Sequence, residues 1–417
     1  MGLRILLASD FYPPFIGGAE RQVQLLGKQL TGRGHTVRVA TVWHAGLLEQ
    51  EDDASTSVYR LKGLITRVPW FSKDPKRRFH PPFPDPAVVL ALRRLISSFK
   101  PDLVHASGWI AYSCVVALLG KPIPMLLSVR DYGYTCAIRT LLRDGRICDG
   151  PALEKCMRCT TQSYGPVKAL GAVAGIFLGR NLLLRKVTAF HSVSTFVQAN
   201  VKDQLLRYGR VDTPSEVIPS FREDGPPDVP GDPLEDPLPV EPFILFVGAL
   251  QKYKGLEVLL AAYRQLISAP PLVLIGTVWP ETPKQFPPGV IVLRNVPHPT
   301  VMKAWTRSLF GIAPSIWPEP LGNVIFEAMS QGKAVVATNV GGSVDMVVQN
   351  ETGLLVPPRD ANALAQAMRQ LIDNPELRER LGNAAKERAR LFTADVVVPR
   401  FEALYRRLIE SRQQAKP

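Results

Sequence analysis

Two glutamates eight residues apart, Glu319 and Glu327, flank a Pro-Leu-Gly-Asn turn in the segment 314–342. The apolar stretch Gly311–Pro314 is typical of the end of a buried strand, and apolar residues recur at helical spacing after the turn. The amides of Leu321–Asn323 are then expected at a helix N-terminus, where free N–H groups and the helix dipole attract phosphate. Glu327 lies in the second helical turn, where its carboxylate can accept two hydrogen bonds from a ribose diol. Glu319 lies on the strand side of the turn, where it can contact the group attached to the phosphate. The spacing therefore predicts a nucleotide-sugar site.

Two other interpretations of this glutamate pair are weaker. An isolated pair at this spacing is more often a surface loop residue and a solvated helix residue. Here, however, Glu327 lies between Phe326 and Ala328 in an apolar helix, where an unpaired carboxylate is costly. A glycosidase acid and nucleophile need carboxylates about 5 to 9.5 Å apart. Mostly helical residues between the two glutamates separate their backbones by about 10 Å along the axis and aim the side chains differently, so that chemistry is disfavoured.

Strands and helices must alternate to position these residues. In residues 1–220 the predicted strands are LRILLAS, TVRVATV, DLVHA, PMLLSV and TAFHSV, and the predicted helices are Ala19–Thr31, Pro86–Ser98 and one from Ile110. Alternation restarts with FILFVGA, the helix Leu256–Ile267, PLVLIG, GVIVLRN, LFGIAPS and KAVVATN. This pattern predicts an α/β fold with two doubly wound parallel sheets. Gly17 and Gly18 follow the first strand, where a backbone without side chains can approach a ligand closely.

Composition and charge predict how the chain is divided. A chain of 417 residues that is 46% hydrophobic can bury two cores. We expect one domain at 1–220 with a Cys-rich insert at about 130–165, a Pro- and acid-rich linker at 221–242, a second domain at 243–395 and a terminal helical segment at 396–417. Residues 1–220 hold 29 Lys and Arg against 16 Asp and Glu, whereas residues 221–417 hold 21 of each.

This charge asymmetry predicts an anionic partner for the first domain, such as a membrane surface, a lipid diphosphate or an acidic glycan. Nucleic acid is not expected, since no helix-turn-helix, zinc-finger or RNP pattern is present. The N-terminus has too short an apolar run for a signal peptide, which predicts a cytoplasmic protein. The excess positive charge of residues 1–220 predicts that it attaches peripherally to the inner membrane face.

Several segments, taken in order, resemble the retaining glycosyltransferases of family 4, which have the two-domain GT-B fold. They are GGAER at 17–21, HSVSTFVQANV at 191–201, FVGALQKYKG at 246–255, the E-x7-E segment with its Gly341-Gly342 turn, and ETGLLVPPRDANALAQAM at 351–368. The resemblance implies two Rossmann-like domains facing a cleft, with the last helix, at about Phe401–Glu410, crossing back to the first domain. It also implies retention of configuration at the transferred sugar.

The resemblance assigns roles to individual residues. Glu327 is expected to bind the ribose, Glu319 the sugar hydroxyls, and Lys254 the diphosphate leaving group. The amides of Leu321, Gly322 and Asn323 are expected to contact the sugar or phosphate. Gly17 and Gly18 are expected near the donor diphosphate and the acceptor. Glu319, Lys254 and Arg130 are the candidate catalytic residues, and no cofactor is expected for catalysis.

The chain departs from the family pattern at two positions. Ala249 stands where relatives commonly have an arginine, for which Lys252 could substitute as a point charge. Arg130 stands where many relatives have a histidine that contacts the donor sugar. Arg130 could bind phosphate, or it could form a partly buried pair with Asp131. His105, at a neighbouring strand end, is more typical of a structural histidine.

Two segments of the first domain leave alternatives open. Cys136, Cys148, Cys156 and Cys159 have the spacing C-x11-C-x7-C-x2-C, which fits either a structural zinc ion or free thiols. The apolar stretch Pro166–Lys186 has basic residues toward its ends and fits either a core-facing helix or an element that dips into a bilayer.

The sequence thus predicts a glycosyltransferase that moves a sugar from a nucleoside diphosphate sugar to an anionic or lipid-linked glycan in cell-surface polysaccharide assembly. Two other classes remain: a non-catalytic module that binds sugar nucleotides or membranes, and a GT-B sugar-nucleotide epimerase.

Overall fold

Two compact units make up the chain. In the computed structural model, unit 1 comprises Met1–Arg143, Cys148–Arg222 and Ala394–Pro417, and unit 2 comprises Asp144–Ile147 and Glu223–Thr393. The structure describes residues 2–15, 18–53, 56–64, 79–208, 212–222 and 237–414. Unit 1 holds 34 Lys and Arg against 18 Asp and Glu, and unit 2 holds 16 against 19. The net positive charge is therefore confined to unit 1.

The strands before residue 222 form an eight-stranded sheet and a short hairpin. They are β1 (Arg4–Ser9), β2 (Thr36–Val42), β3 (Gln50–Asp53), β4 (Thr56–Leu61), β5 (Leu103–Ser107), β6 (Met125–Val129), β7 (Leu142–Arg143), β8 (Arg146–Ile147), β9 (Ala189–Ser192) and β10 (Ser215–Val217). The sheet has the order β10-β9-β6-β5-β1-β2-β4-β3, and β7 pairs with β8 separately. All neighbours in the sheet are parallel except β3 and β4. The carboxyl ends of β1, β5 and β6 therefore share one edge.

Helices cover the sheet of unit 1. They are α1 (Gly18–Gly32), α2 (Pro86–Phe99), α3 (Ile110–Ala117), α4 (Leu153–Tyr164), α5 (Pro166–Lys186) and α6 (Thr195–Gln204). α2 begins where its sequence predicts, because the Asp85 carboxylate caps the amides of Ala87 and Val88 and Pro86 occupies the first turn. The last helix of the chain, Ala394–Gln414, contributes Phe401 and Tyr405 to the core that β1 and β5 share. The predicted helix at about Phe401–Glu410 lies within it.

Unit 2 contains a six-stranded parallel sheet. Its strands are β11 (Ile244–Val247), β12 (Leu272–Ile275), β13 (Val290–Leu293), β14 (Gly311–Ala313), β15 (Val335–Thr338) and β16 (Gly353–Val356), in the order β13-β12-β11-β14-β15-β16. The helices between and after them are α7 (Leu256–Tyr263), α8 (His298–Arg307), α9 (Asn323–Ser330), α10 (Ser343–Met346), α11 (Ala361–Asp373) and α12 (Pro375–Ala389); α13 is the terminal helix already described. Two apolar clusters, one on each face of the sheet, form the core.

The predicted α/β fold with doubly wound sheets is confirmed, and two local predictions are wrong. The first sheet is not wholly parallel, because the polar segment Gln50–Asp53 pairs antiparallel with β4. α7 ends at Tyr263 and not at Ile267, since the amides of Arg264 and Gln265 turn back onto the last carbonyls of the helix. The Cys-rich insert also has regular structure, namely β7, β8 and α4.

Candidate functional site

The predicted phosphate-binding turn lies at the start of α9 in unit 2. α9 begins at Asn323, and Gly322 precedes it in an extended conformation without a side-chain cap. The first amides of the helix are therefore left for another partner. The placement of Leu321, Gly322 and Asn323 at a helix N-terminus is thus confirmed, while their contact with a sugar or phosphate stays a prediction.

A glycine pair braces this turn. The amide of Gly342 donates to the carbonyl of Glu319 at 2.7 Å. A Cβ on Gly341 would lie 2.4 Å from that carbonyl oxygen, and a Cβ on Gly342 would lie 2.2 Å from the carbonyl oxygen of Pro320. Gly341 also has a φ of +63°, which side-chain-bearing residues rarely adopt. The sequence needs glycine here because the backbone of residues 319–320 passes against this turn.

Lys254 and Glu319 form an ion pair, although 65 residues separate them in sequence. Lys254 Nζ lies 2.6 Å from Glu319 Oε1, and both side chains are about one-fifth exposed. Ser315 Oγ donates to the other carboxylate oxygen at 3.2 Å. The turn that carries Lys254 is fixed to the same loop, since the amide of Ile316 donates to the carbonyl of Tyr253 at 2.9 Å. Two predicted site residues thus lie together.

Glu327 is buried and has a partner that the sequence did not reveal. Its Oε2 accepts a hydrogen bond from Trp305 Nε1 at 3.3 Å, and Trp305 on α8 is fully buried in the core. The carboxylate is therefore held in a fixed orientation by a side chain 22 residues away. Glu319 and Glu327 contact different groups, which agrees with the sequence argument against a glycosidase pair.

The substitution of Lys252 for the missing arginine finds no support in the structure. Lys252 pairs with Glu257 at 3.6 Å, and both side chains are more than half exposed. With Ala249 in place of an arginine, Lys252 and Lys254 are the two cations of this turn among the described residues, and Lys252 is the one turned toward Glu257. Lys254 is therefore the cation that the turn directs toward Glu319.

In unit 1 the glycine turn is described only in part. Gly17 lies outside the described residues, and Gly18 is the first residue of α1. Their predicted proximity to the donor diphosphate stays a prediction.

Arg130 follows β6 and does not pair with Asp131, so the predicted Arg130–Asp131 pair is wrong. Asp131 Oδ2 instead lies 3.6 Å from Arg139 Nε. The same Arg139 reaches Asp10 at 3.3 Å, and Asp10 caps α3 through the amides of Trp109 and Ile110. Arg139 is therefore the residue that both carboxylates near this strand end neutralise.

His105 has the structural setting that its sequence context predicts. The ring is 4% exposed, and Nδ1 lies 2.7 Å from the hydroxyl of Tyr405 on α13. Burial lowers the pKa of His105 to about 3, and the positive charge of Arg130 contributes in the same direction. His105 is therefore neutral at physiological pH.

The four predicted metal ligands, Cys136, Cys148, Cys156 and Cys159, line one small cavity beside β7 and α4 in unit 1. All are free thiols. Burial raises the pKa of Cys136, Cys156 and Cys159, and neighbouring cysteines contribute to each increase. Within the described residues, no three His, Cys, Asp or Glu side chains are arranged to hold a metal ion. The structure brings the four cysteines together, and zinc binding stays a prediction.

The partners that fix the predicted site residues were not predicted from the sequence. Trp305 and Ser315 orient Glu327 and Glu319, and Ser220 accepts a hydrogen bond from Arg130 at 3.2 Å. Of the missed residues, Asp10 had the clearest signal, since it directly follows the first predicted strand. Trp305 and Ser220 had none, because nothing in the local sequence indicates their distant partners.

Two family models together cover most of the chain. The model described as "Glycosyltransferase Family 4" matches residues 16–221, and the model described as "Glycosyl transferases group 1" matches residues 237–388. Their boundary falls between unit 1 and unit 2.

Curated relatives and a solved structure agree with these matches. The D-inositol 3-phosphate glycosyltransferase of Corynebacterium glutamicum (strain R) is 30% identical over 39% of this chain and 42% of that protein. The capsular polysaccharide biosynthesis glycosyltransferase CapM of Staphylococcus aureus is 26% identical over 40% of this chain and 47% of that protein. The match thus spans less than half the length of these relatives. The Anabaena protein Alr3699/HepE, crystallised with UDP, is 17% identical with a TM-score of 0.65 over 96% of this chain and 99% of that chain.

Two doubly wound units with these matches define a glycosyltransferase of the GT-B structural class. Within that class, the match of residues 16–221 to the family 4 model and of residues 237–388 to the group 1 model is consistent with glycosyltransferase family 4.

Proposed function

We propose that the protein is a retaining glycosyltransferase, which transfers a sugar from a nucleoside diphosphate sugar to a glycan or lipid-linked acceptor during the assembly of cell-surface polysaccharide. Family membership supports the activity, the UDP in the HepE crystal supports a nucleotide donor, and the name of CapM supports a polysaccharide product.

The ion pair between Lys254 and Glu319 is the observation that carries this proposal. Glu319 balances the charge of Lys254 at a turn that also presents the first amides of α9. A donor diphosphate can take the place of the Glu319 carboxylate as the anion that neutralises Lys254. Its oxygens can accept hydrogen bonds from both the ammonium group and the amides. Negative charge on the departing diphosphate is greatest in the transition state, so these donors lower the barrier more than they strengthen ground-state binding.

The two glutamates serve the donor in different ways under this proposal. Glu319, which is hydrogen-bonded to both Lys254 and Ser315, accepts hydrogen bonds from hydroxyl groups of the transferred sugar. Glu327, which is oriented by the hydrogen bond from Trp305, accepts hydrogen bonds from the two ribose hydroxyls. Catalysis therefore comes from stabilisation of the leaving group and from sugar positioning rather than from a carboxylate acid and nucleophile.

Nucleotide screening followed by a transfer assay tests the activity. A ligand at 100 times its dissociation constant stabilises the folded protein by about 2.7 kcal/mol, so thermal shifts with UDP, GDP, ADP and their sugars identify the donor. Release of the nucleoside diphosphate should then depend on an added acceptor. Thermal stabilisation without turnover on any acceptor would instead show a binding module, and conversion of the donor alone would show an epimerase.

We further propose that unit 1 attaches to an anionic membrane surface at the cytoplasmic face. Unit 1 has a large excess of Lys and Arg, and α5 exposes Val167, Leu170 and Leu178, each by more than 60%. Among the described residues, α5 is the one helix long and apolar enough to cross a bilayer by length and composition.

One face of α5 is nevertheless packed against unit 1. A Cβ on Gly179 would lie 2.3 Å from the ring of Tyr112, and Val173 and Ile176 are buried. This packing supports a helix that lies in the membrane interface over one that spans the bilayer.

Liposome co-sedimentation tests the attachment. Each Lys or Arg near an anionic leaflet contributes about 1 kcal/mol, and salt screens that attraction. We expect binding to anionic liposomes at low salt, with release at high salt. Serine at both Leu170 and Leu178 should weaken binding, whereas serine at Leu90, which is 54% exposed on α2, should not. Equal binding by all three proteins would remove α5 from the proposal.

A further inference from the structure

Arg130 is a largely buried cation at the carboxyl end of β6. Its Nε is inaccessible to solvent and makes no hydrogen bond within the described part of the chain. Its one hydrogen bond there joins Nη1 to Ser220 Oγ, a neutral acceptor, at 3.2 Å. Burial lowers the pKa of Arg130 to about 10, so the guanidinium is still charged at neutral pH.

No carboxylate neutralises this charge among the residues that the structure describes. Asp131 and Asp10, the acidic groups near this strand end, both contact Arg139. A buried ion without an opposite charge is costly, and folded proteins commonly pair such ions or bind a counter-ion.

The other titratable groups around Arg130 are neutral. Burial and the charge of Arg130 lower the pKa of both His105 and His191. Burial raises the pKa of Tyr405 far above neutrality. None of these three groups therefore supplies a negative charge at physiological pH.

A small cavity lies against Arg130. Its polar side is formed by Arg130, His105, Ser107 and Ser128, and its apolar side by β1 and α1. Ser107 and Ser128 are register partners on adjacent strands, so their hydroxyls lie side by side near the carboxyl ends of β5 and β6. Ligands of open α/β sheets bind at this edge.

We infer that Arg130 is a specificity-determining residue that binds an anionic group, a carboxylate or a phosphate, on one of the two sugar substrates. Two terminal N–H groups of arginine fit two oxygens of either anion, and the neighbouring Ser107 hydroxyl can donate a further hydrogen bond. The inference rests on the proposed transferase function. The anion has two sources, a donor such as a nucleoside diphosphate uronic acid or an acceptor that carries a uronate or a phosphate.

A kinetic experiment separates these sources. In the donor arm, UDP-glucuronate is compared with UDP-glucose, or the corresponding pair for whichever base binds. In the acceptor arm, p-nitrophenyl β-glucuronide and glucose 6-phosphate are compared with p-nitrophenyl β-glucoside. Wild type should prefer the anionic compound in one arm by about tenfold or more in kcat/KM, the size of a lost charge-assisted hydrogen bond. Arg130→Gln should remove that preference, because it should lower kcat/KM for the anionic compound by more than for the neutral one, and Arg130→Lys should restore part of the preference.

Arg94→Gln is the matched control, because it removes the same charge from an exposed position on α2. It should leave the preference unchanged. Equal preferences in wild type and Arg130→Gln, or an equal loss in Arg94→Gln, would overturn the inference.

A readout without turnover keeps the inference separate from the transferase proposal. Glucuronate and inorganic phosphate should raise the melting temperature of wild type more than that of Arg130→Gln. The unliganded Arg130→Gln protein should be at least as stable as wild type, since it loses an unneutralised buried charge. If no donor is turned over but this difference persists, the transferase proposal fails and the anion site stands. If transfer occurs but the difference is absent, the anion site fails alone.

Discussion

The charged residues of unit 2 and those of unit 1 differ in how they are neutralised. In unit 2 Lys254 lies 2.6 Å from Glu319, and two fixed backbone segments hold the pair. In unit 1 Arg130 is largely buried and lies beside neutral histidines and a serine, while the nearby carboxylates pair with Arg139. The first arrangement is complete before a ligand binds, and the second is not.

This contrast indicates what each region contributes to recognition. A neutralised pair can exchange one partner for a ligand at little cost, which suits a diphosphate that arrives and leaves in every cycle. A buried cation without a counter-ion favours anionic over neutral ligands, which suits selection between substrates. The net charges of the units agree with this contrast, because unit 1 has an excess of Lys and Arg and unit 2 does not.

The largest effect is expected for Lys254→Ala. Loss of a group that stabilises the departing diphosphate should lower kcat by about 10²- to 10³-fold, with a smaller rise in the donor KM. Lys252→Ala is the control, because Lys252 lies in the same turn but pairs with the exposed Glu257. Steady-state kinetics with the best donor measure both; similar losses in the two variants would mean that the turn acts through its overall charge.

A pair of glycine substitutions separates backbone strain from crowding at Glu319. Gly341 and Gly332 have nearly the same φ, +63° and +66°, but the nearest atom to a Cβ is 2.4 Å away at Gly341 and 3.7 Å away at Gly332. Gly332→Ala should therefore cost about 1 to 2 kcal/mol of stability from strain alone. Gly341→Ala should cost more and should also raise the donor KM, because the backbone of Glu319 must move. Denaturant unfolding and donor kinetics test this; indistinguishable variants would show that the Glu319 loop is not braced by this turn.

Glu327→Ala should weaken binding of the best nucleotide by about tenfold or more, since the ribose loses an acceptor of two hydrogen bonds. Trp305→Phe keeps the carboxylate but removes the N–H that orients it, so we expect a smaller loss. Calorimetry gives both values. Unchanged affinity in Glu327→Ala would falsify the ribose assignment.

The smallest and most local effect is expected in the Cys-rich insert. If Cys136, Cys148, Cys156 and Cys159 bind zinc, elemental analysis should find one zinc ion per chain, and a chelator should expose four thiols while donor binding in unit 2 persists. Cys114, which is fully buried in α3, should stay unreactive in the folded protein. Absence of stoichiometric metal, with four thiols titrating from the start, would contradict zinc binding.

The sequence predicts most of the fold because apolar runs mark the buried parallel strands. Strands such as β1, β6 and β15 have almost wholly buried residues, and their segments are apolar. The edge strand β3 has the sequence QEDD and forms because β4 offers it a partner. Local composition cannot reveal such pairing.

The sequence also locates the unit 2 site, because its turn, helix start and glutamates lie within one short segment. The charge partners of unit 1 were not predictable in the same way. Asp131 adjoins Arg130 in sequence, but its carboxylate lies against Arg139, and Asp10 reaches Arg139 from 129 residues away. Only the packed fold decides which of two arginines receives the carboxylates.

Calorimetric titration of one nucleoside diphosphate and its monophosphate tests the central claim most directly, which is that Lys254 and the start of α9 bind the donor diphosphate. Wild type should bind the diphosphate more tightly, and Lys254→Ala should lose about tenfold more affinity for the diphosphate than for the monophosphate, since it removes a contact to the added phosphate. An equal loss for both nucleotides, or no loss for either, would contradict the account.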